Sequence, residues 1–265
     1  MTEIGLSGRR ALVTGGGAGI GGAIVDALAA GGCDVTFVEL DAALAEARLR
    51  STVGSVAAMV GDATNARFIE AAVTELGPVD ILVNNIGHHL SSTPFLSSDP
   101  DRWAALHDVN LVHALRWCRA LVPGMVERHA GAVVNVSSVE GIRAMPRDPV
   151  YAAYKAALIH FTRSFALEVA RSGVRVNAVA PDVTQTPQVD YASWVAPEDE
   201  HKWETWVPVG RVGEPSDTAD VVLFLVSDLA RFVTGQVIAT DGGTLAAGGW
   251  FRDGAGRWTN RPRDP

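Results

Sequence analysis

Short apolar runs rich in β-branched residues alternate along the chain with longer stretches in which apolar residues recur every three or four positions. The runs at 9–15 (RRALVTG), 33–40 (CDVTFVEL), 55–62 (SVAAMVGD), 79–85 (VDILVNN), 131–138 (GAVVNVSS), 174–181 (VRVNAVAP) and 235–240 (GQVIAT) predict seven strands. The stretches 20–30, 41–50, 64–76, roughly 101–128 and 150–172 predict helices between them. Strands apolar on both sides, each followed by a helix, imply a parallel sheet. The expected fold class is therefore α/β, a doubly wound seven-stranded parallel sheet with helices on both faces. No repeat, low-complexity tract or linker interrupts it, so residues 1–265 read as one domain. Two stretches break the rhythm. Residues 182–214, rich in Pro, Asp, Glu and Trp, read as a lid, and 244–265 form a tail that seven strands do not need.

Composition narrows the classes. The 265 residues are 48% hydrophobic, enough for one large core. No run reaches the about 18 apolar residues a membrane span needs. The opening MTEIGLSGRR lacks the apolar centre of a signal peptide, so a cytoplasmic location is expected. Cys33 and Cys118 lie far apart in apolar surroundings and read as two buried thiols. A net charge of −8 argues against nucleic acid, which needs a basic face. It leaves room for an anionic ligand, because backbone amides bind phosphate without any lysine.

TGGGAGIG (14–21) follows the first strand and opens the first helix. Gly15, Gly19, Ile20 and Gly21 would give a tight turn, a close backbone approach and free helix N–H groups for a pyrophosphate. Glycine also serves ordinary turns, so context matters. Glu39 ends the second strand about twenty residues on, where an acid accepts from a ribose with two free hydroxyls. It would repel a 2′-phosphate, and neither Ala18 nor Leu40 is an arginine that could receive one. NAD is therefore expected over NADP. The competing reading of Glu39 is a solvated strand end. Asp62, ending the third strand, reads equally as an adenine contact or a turn acid.

YAAYKAA (151–157) places Tyr151 and Lys155 one helical turn apart, on one face. Tyr154 points roughly 100° away. A phenol near pKa 10 is a poor base at neutral pH, and a nearby cation favours its ionised form. A shift of about 3 units asks for roughly 4 kcal/mol, which Lys155 and an oxidised nicotinamide could together provide in a partly dry cleft. Ser138, ending the fifth strand, would meet a substrate oxygen beside that phenol, while Ser137 alternates to the other side. Asn110 is an unfavourable residue inside a predicted helix. Either it marks a kink that holds a water near Lys155 or it faces solvent.

Taken together, TGGGAGIG, NNIG (84–87), Asn110, VNVSS with Ser138, YAAYK and VNAVAP resemble the motif set of the short-chain dehydrogenase/reductase (SDR) family, over about residues 8 to 243. The resemblance implies a Rossmann fold and an NAD-dependent oxidoreductase that interconverts a secondary alcohol and a ketone. Tyr151 would be the acid/base, Lys155 would tune it and bind the nicotinamide ribose, Ser138 would position the substrate oxygen, and Asn110 would complete a proton relay. Asp62, Ala63, Asn85, Gly87, Pro181, Thr184 and Thr186 would join the loop and Glu39 in holding the cofactor. Related enoyl reductases separate Tyr and Lys by seven positions, against four here. A homotetramer or dimer is the family expectation. One departure is Pro181-Asp182, where the family often has Pro-Gly; Asp182 would have to take up the glycine's backbone conformation. A dinucleotide-binding sensor without turnover, or an NAD-assisted epimerase or dehydratase, are the competing functions.

Loops at the sheet's C-terminal edge should choose the substrate. His88, Glu140, Arg143 and Trp194 are the candidates, with His89, Arg147, Trp203 and Trp206 nearby. The tryptophans would face an apolar or ring-shaped substrate, or else anchor the lid on the core. The adjacent histidines lack further ligands, so no metal is expected. Trp250 and Trp258 in the tail would pack on a neighbouring subunit.

Overall fold

The computed structural model describes residues 5–194 and 196–248, and the backbone of 251–252 and 258–259. In chain order the elements are β1 (Arg10–Thr14), α1 (Gly19–Ala30), β2 (Asp34–Glu39), α2 (Ala42–Ser51), β3 (Val56–Val60), α3 (Ala66–Leu76) and β4 (Ile81–Asn84). Then come α4 (Pro100–His107), a π-helical turn (Asp108–Val112), α5 (His113–Glu127), β5 (Gly131–Val136), α6 (Pro149–Val169), β6 (Val174–Pro181), α7 (Lys202–Trp206), α8 (Pro215–Val226), β7 (Val237–Thr240) and α9 (Thr244–Ala247). Last is a two-residue antiparallel ladder, β8 (Phe251–Arg252) with β9 (Trp258–Thr259).

The seven long-range strands form one parallel sheet in the order β3-β2-β1-β4-β5-β6-β7. Successive side chains of its central strands feed opposite faces. Ala11, Val13, Ile81, Val83, Ala132 and Val134 join one core with α1 and α8; Leu12, Leu82 and Val133 join the other with α3, α5 and α6. That two-sided burial is why the strands carry almost no polar positions. Two of the exceptions pair with each other: Asn84 Nδ2 donates to Asn135 Oδ1 at 2.8 Å, and Asn135 Nδ2 to Thr162 Oγ1 at 2.9 Å.

Three differences from the sequence reading stand out. The predicted helix over 101–128 is α4 and α5 joined through the π turn that contains Asn110. The end of the predicted 150–172 helix is a separate 3₁₀ turn, Ala170–Ser172. Helix α8 was not expected at all. Its Ala219, Val222, Leu225 and Val226 are buried against α1 and the sheet, each large side chain contributing about 1.5–3 kcal/mol. The tail beyond 248 is described only as the β8–β9 backbone, so the side chain of Trp258 and all of Trp250 lie outside the described residues.

Candidate active site

The order reversal between β1 and β4 opens a cleft of about 1820 Å³ at the C-terminal edge of the sheet. Such a switch point is where open α/β sheets bind ligands. The cleft is lined by the glycine loop, the ends of β2 to β6, and parts of the 182–214 segment.

The loop between β1 and α1 is shaped by its glycines. Gly15 and Gly19 have φ of 68° and 54°. A Cβ on Gly21 would collide with the Gly15 carbonyl oxygen, so α1 can pass this close to the loop only without a side chain there. Ala18 at the N-cap of α1 offers no side-chain acceptor, so the leading N–H groups of the helix stay available to a ligand. Asn85 fastens β4 to this loop, donating from Nδ2 to the carbonyls of Thr14 and Gly15, both at 3.1 Å.

Glu39 sits at the loop's edge. Its Oε2 accepts from the Gly17 N–H at 3.0 Å, and its Oε1 from the N–H groups of Leu40 (2.8 Å) and Asp41 (3.2 Å). Arg48 lies behind the loop, tied to Asp26 at 2.5 Å and to the Gly17 carbonyl, and does not line the cleft. Asp62 caps its own turn through the N–H and hydroxyl of Thr64, so the turn-acid role is filled while the residue still lines the cleft. Ala63 is buried beside it, its carbonyl accepting from Trp117 Nε1.

Ser138, Tyr151 and Lys155 converge where β5 and α6 meet. Lys155 is buried, its Nζ donates to the Val136 carbonyl at 3.2 Å, and Nζ stands 5.7 Å from the Tyr151 ring centroid. Glycine at 87 makes this possible, since a Cβ would strike the ammonium. Burial pulls Lys155 down to about 8. Tyr151 is pushed up, chiefly by burial, against a hydrogen bond with Ser138 that lowers it; the Glu140, Tyr191 and Asp148 charges add to the rise. The expected downward shift counts on a nicotinamide charge as well as on Lys155; on the chain's own groups burial outweighs the rest. The ammonium sits over the ring, and burial lowers its pKa as it raises the phenol's. Ser137 does lie apart from the phenol, its hydroxyl bonded to the Lys155 carbonyl. Tyr154 packs against His107, with ring centroids 5.2 Å apart, and does not line the cleft.

Asn110 is fully buried in the π turn, so the solvent-facing reading fails. Its side chain brackets the peptide of His88: Oδ1 accepts from the His88 N–H at 3.1 Å and Nδ2 donates to the His88 carbonyl at 2.9 Å. His88 Nδ1 accepts from the Leu90 N–H, and burial lowers the imidazole's pKa.

The other side of the cleft holds an ionic cluster. Arg143 Nη2 donates to Glu140 Oε1 at 2.8 Å and to Asp182 Oδ1 at 3.1 Å, and Thr244 Oγ1 donates to Asp182 Oδ2. Asp182 does not take up a glycine-like backbone. Among the described residues only Leu90 and His129 have positive φ without being glycine, so the expected substitution by conformation is wrong. The carboxylate is used instead. Pro181, Thr184 and Thr186 line the floor, with Thr186 some 3.5 Å from where a Gly19 side chain would begin. Trp194 and Trp206 are 61% and 59% exposed and line the cleft. Val207, not a tryptophan, is the buried anchor of this segment. Tyr191 packs at a tilt on Trp194 and meets Trp203 edge-on, with ring centroids 4.5 and 5.9 Å apart.

Sequence reasoning missed three groups here. Tyr191 carried no motif. Asp148, followed by Pro149, was legible as a helix N-cap, but its buried partner Arg102 was not. His113 is wholly buried, with neither ring nitrogen hydrogen-bonded among the described residues.

The family model described as enoyl-(acyl carrier protein) reductase matches residues 15–244. The chain is 41% identical over 244 residues to 2-(S)-hydroxypropyl-CoM dehydrogenase 3 of Xanthobacter autotrophicus, covering 88% of this chain and 95% of that one. The chain belongs to the short-chain dehydrogenase/reductase family. This SDR is also 40% identical to galactitol 2-dehydrogenase of Rhizobium johnstonii, over 90% of the chain and 95% of the relative. Among solved structures, levodione reductase superposes with a TM-score of 0.84 at 32% identity, covering 91% of this chain and 99% of that one. A gluconate 5-dehydrogenase from Beutenbergia cavernae, described as putative and with bound NADP, gives 0.84 at 33%, covering 92% and 99%. The SDR is thus an oxidoreductase acting on CH–OH groups with a nicotinamide dinucleotide.

Proposed function

We propose that this SDR interconverts a secondary alcohol and a ketone with NAD rather than NADP, using Tyr151 as acid/base. The convergence of Ser138, Tyr151 and Lys155 at the switch-point cleft carries the reading. The four-residue Tyr–Lys spacing supports alcohol chemistry over enoyl reduction. Ser138 holds the substrate oxygen, and the Tyr151 phenol exchanges a proton with it. Lys155 binds a ribose hydroxyl and, through the Val136 carbonyl, is fixed under the ring. Asn110 holds the His88 peptide and with Lys155 passes the proton outward. When bound, the nicotinamide supplies the hydride exchange and a positive charge beside the phenol.

Gly15, Gly19, Ile20 and Gly21 fit the pyrophosphate, and Asp62, Ala63, Asn85 and Gly87 the adenosine side. Pro181, Thr184 and Thr186 fit the nicotinamide end. Glu39 supports NAD: its carboxylate is fixed by three backbone N–H groups where a 2′-phosphate would sit. The only arginines lining the cleft among the described residues are Arg143 and Arg147, neither of them beside Glu39 in the fold. Residues 182–214 act as the lid of one catalytic domain. Exposed Leu167, Phe224 and Phe232 support self-association as a dimer or tetramer. Nothing in the site favours a sensor, since all four catalytic groups are present, or an epimerase or dehydratase.

The test is NADH formed stoichiometrically with ketone, compared with NADPH. NAD is expected to win in kcat/KM, and Glu39→Ser to improve NADP use by about ten-fold or more by removing like-charge repulsion. A wild-type preference for NADP would refute the cofactor assignment.

A further inference from the structure

Resting on that oxidoreductase reading, we infer that the cleft takes neutral polyhydroxylated alcohols. A hydroxyl next to the reacting carbon is held by Glu140, Arg143 and Asp182, and substrates carrying an anionic group at that position are turned away.

The first observation is place. Glu140 follows Ser138 by two residues, and the Ser138 hydroxyl accepts its N–H at 3.2 Å. The cluster therefore borders the oxygen-binding position directly, and all three of its residues line the cleft.

The second is charge. One guanidinium serves two carboxylates, so the cluster carries a net −1. Glu140 and Asp182 side chains are 18% and 7% exposed, which limits solvent screening. Arg143 looks like an anion receptor in the sequence, but its charge already faces two carboxylates. Of the other cations among the described residues lining the cleft, two are committed elsewhere and one is exposed to solvent. Lys155 is bonded to Val136, Lys202 pairs with Asp199 at 2.6 Å, and Arg147 stands exposed.

The third is hydrogen-bond parity. Both Arg143 contacts use Nη2, leaving the Nη1 and Nε donors without an acceptor among the described residues. Glu140 engages Arg143 through Oε1 and leaves Oε2 as an acceptor. Donors and an acceptor thus stand side by side. A hydroxyl answers both, a carboxylate answers only donors, and an ammonium only acceptors. The Tyr191–Trp194 pair supplies the apolar wall against which the C–H faces of a polyol can pack.

The experiment uses the purified full chain with saturating NAD⁺ and a matched panel: 2-butanol, 2,3-butanediol, xylitol, 2-hydroxybutanoate and 1-amino-2-propanol. Coenzyme reduction is followed for each. 2,3-Butanediol and xylitol are expected to exceed 2-butanol in kcat/KM by about ten-fold or more, because the cluster is left with unmet polar groups by the mono-alcohol. 2-Hydroxybutanoate is expected to fall about ten-fold below 2-butanol. Glu140→Gln, which removes one charge and keeps the shape, should shrink that second gap; Arg143→Met should shrink the first. If either variant does not fold, the wild-type panel still decides. The inference is overturned if the hydroxy acid or the amino alcohol is the best substrate, or if the polyols gain nothing over 2-butanol. Those outcomes leave the oxidoreductase reading standing. Reduction of neither NAD⁺ nor NADP⁺ by any member of the panel would remove both.

Discussion

Arg102→Met tests how the site is held together. Arg102 on α4 and Asp148 at the N-cap of α6 form an ion pair whose side chains are 12% and 0% exposed. Nη1 reaches Asp148 Oδ1 at 3.3 Å, Nη2 reaches Oδ2, and Nη2 also donates to the His89 carbonyl at 2.8 Å. Asp148 in turn accepts the Tyr151 N–H at 3.4 Å. One buried cluster thus ties α4, the loop that follows β4, and the start of the helix that carries Tyr151 and Lys155. Methionine keeps most of the apolar stem but strands a buried carboxylate. Breaking a buried pair from one side costs about 3–5 kcal/mol. At about 2–4 °C per kcal/mol for a chain approaching this size, the melting temperature should fall by roughly 6–20 °C. The pair is not ideal, because Arg102 Nε is buried without a partner, a defect of about 1–3 kcal/mol. Removing both charges should therefore be gentler than removing one. Asn at 148 can still cap the helix, so Arg102→Met/Asp148→Asn is expected to be more stable than Arg102→Met alone. Urea unfolding followed by circular dichroism gives the cycle, and KM for the alcohol, expected to rise in the single variant, reads the loosened loop. A single variant within about 1 kcal/mol of wild type, or a double variant less stable than the single, would refute the reasoning.

Two further outcomes follow from the same geometry. Tyr151→Phe should abolish turnover while sparing dinucleotide binding measured by calorimetry, and Tyr154→Phe, packed on His107 outside the cleft, should change kcat less than about three-fold; the reverse ranking would overturn the assignment. His113 titrates at about 3, lowered first by burial and then by the Lys155 ammonium. Between about 3 and 6.5 the unfolded chain binds a proton that the folded chain refuses, so stability is lost as pH falls through that window, by up to about 1.4 kcal/mol per unit. His113→Leu should flatten the slope of urea stability between pH 6.5 and 5; an unchanged slope would show that another group carries the acid limb.

The strands were legible because a sheet buried on both faces leaves almost no polar positions, and Asn84 and Asn135 break that rule only by pairing with each other across it. Helix α8 was not, although Glu214-Pro215 is a start signal. Its second half, VVLFLV, is apolar on all sides and shows no helical period. The π turn left one trace, Asn110, read as either a kink or a solvent-facing residue, since an extra residue in a helix changes hydrogen bonding and not composition. The catalytic helix could be read locally because one turn joins Tyr151 to Lys155. The groups that hold it could not, because their partners lie far along the chain: Arg102 is 46 residues from Asp148, and Arg143 is 39 from Asp182. Asp182 makes the point most sharply. Judged alone, it was a stand-in for a glycine's backbone conformation; seen with Arg143 and Thr244, it is a carboxylate with a buried side chain and two hydrogen-bond partners.

What the sequence could not weigh at Tyr151 is burial. Charges can be counted along a helix, and the count gave one cation beside one phenol. Burial cannot be counted that way, and it acts on both groups: it raises the phenol and lowers the ammonium to about 8. Desolvation penalises each charged form separately. The protein alone therefore holds a protonated phenol beside a largely protonated Lys155. The acid/base poise that the motif implies belongs to the loaded cleft, where the substrate oxygen on Ser138 and the cofactor's charge join a scaffold that has already fixed the distances.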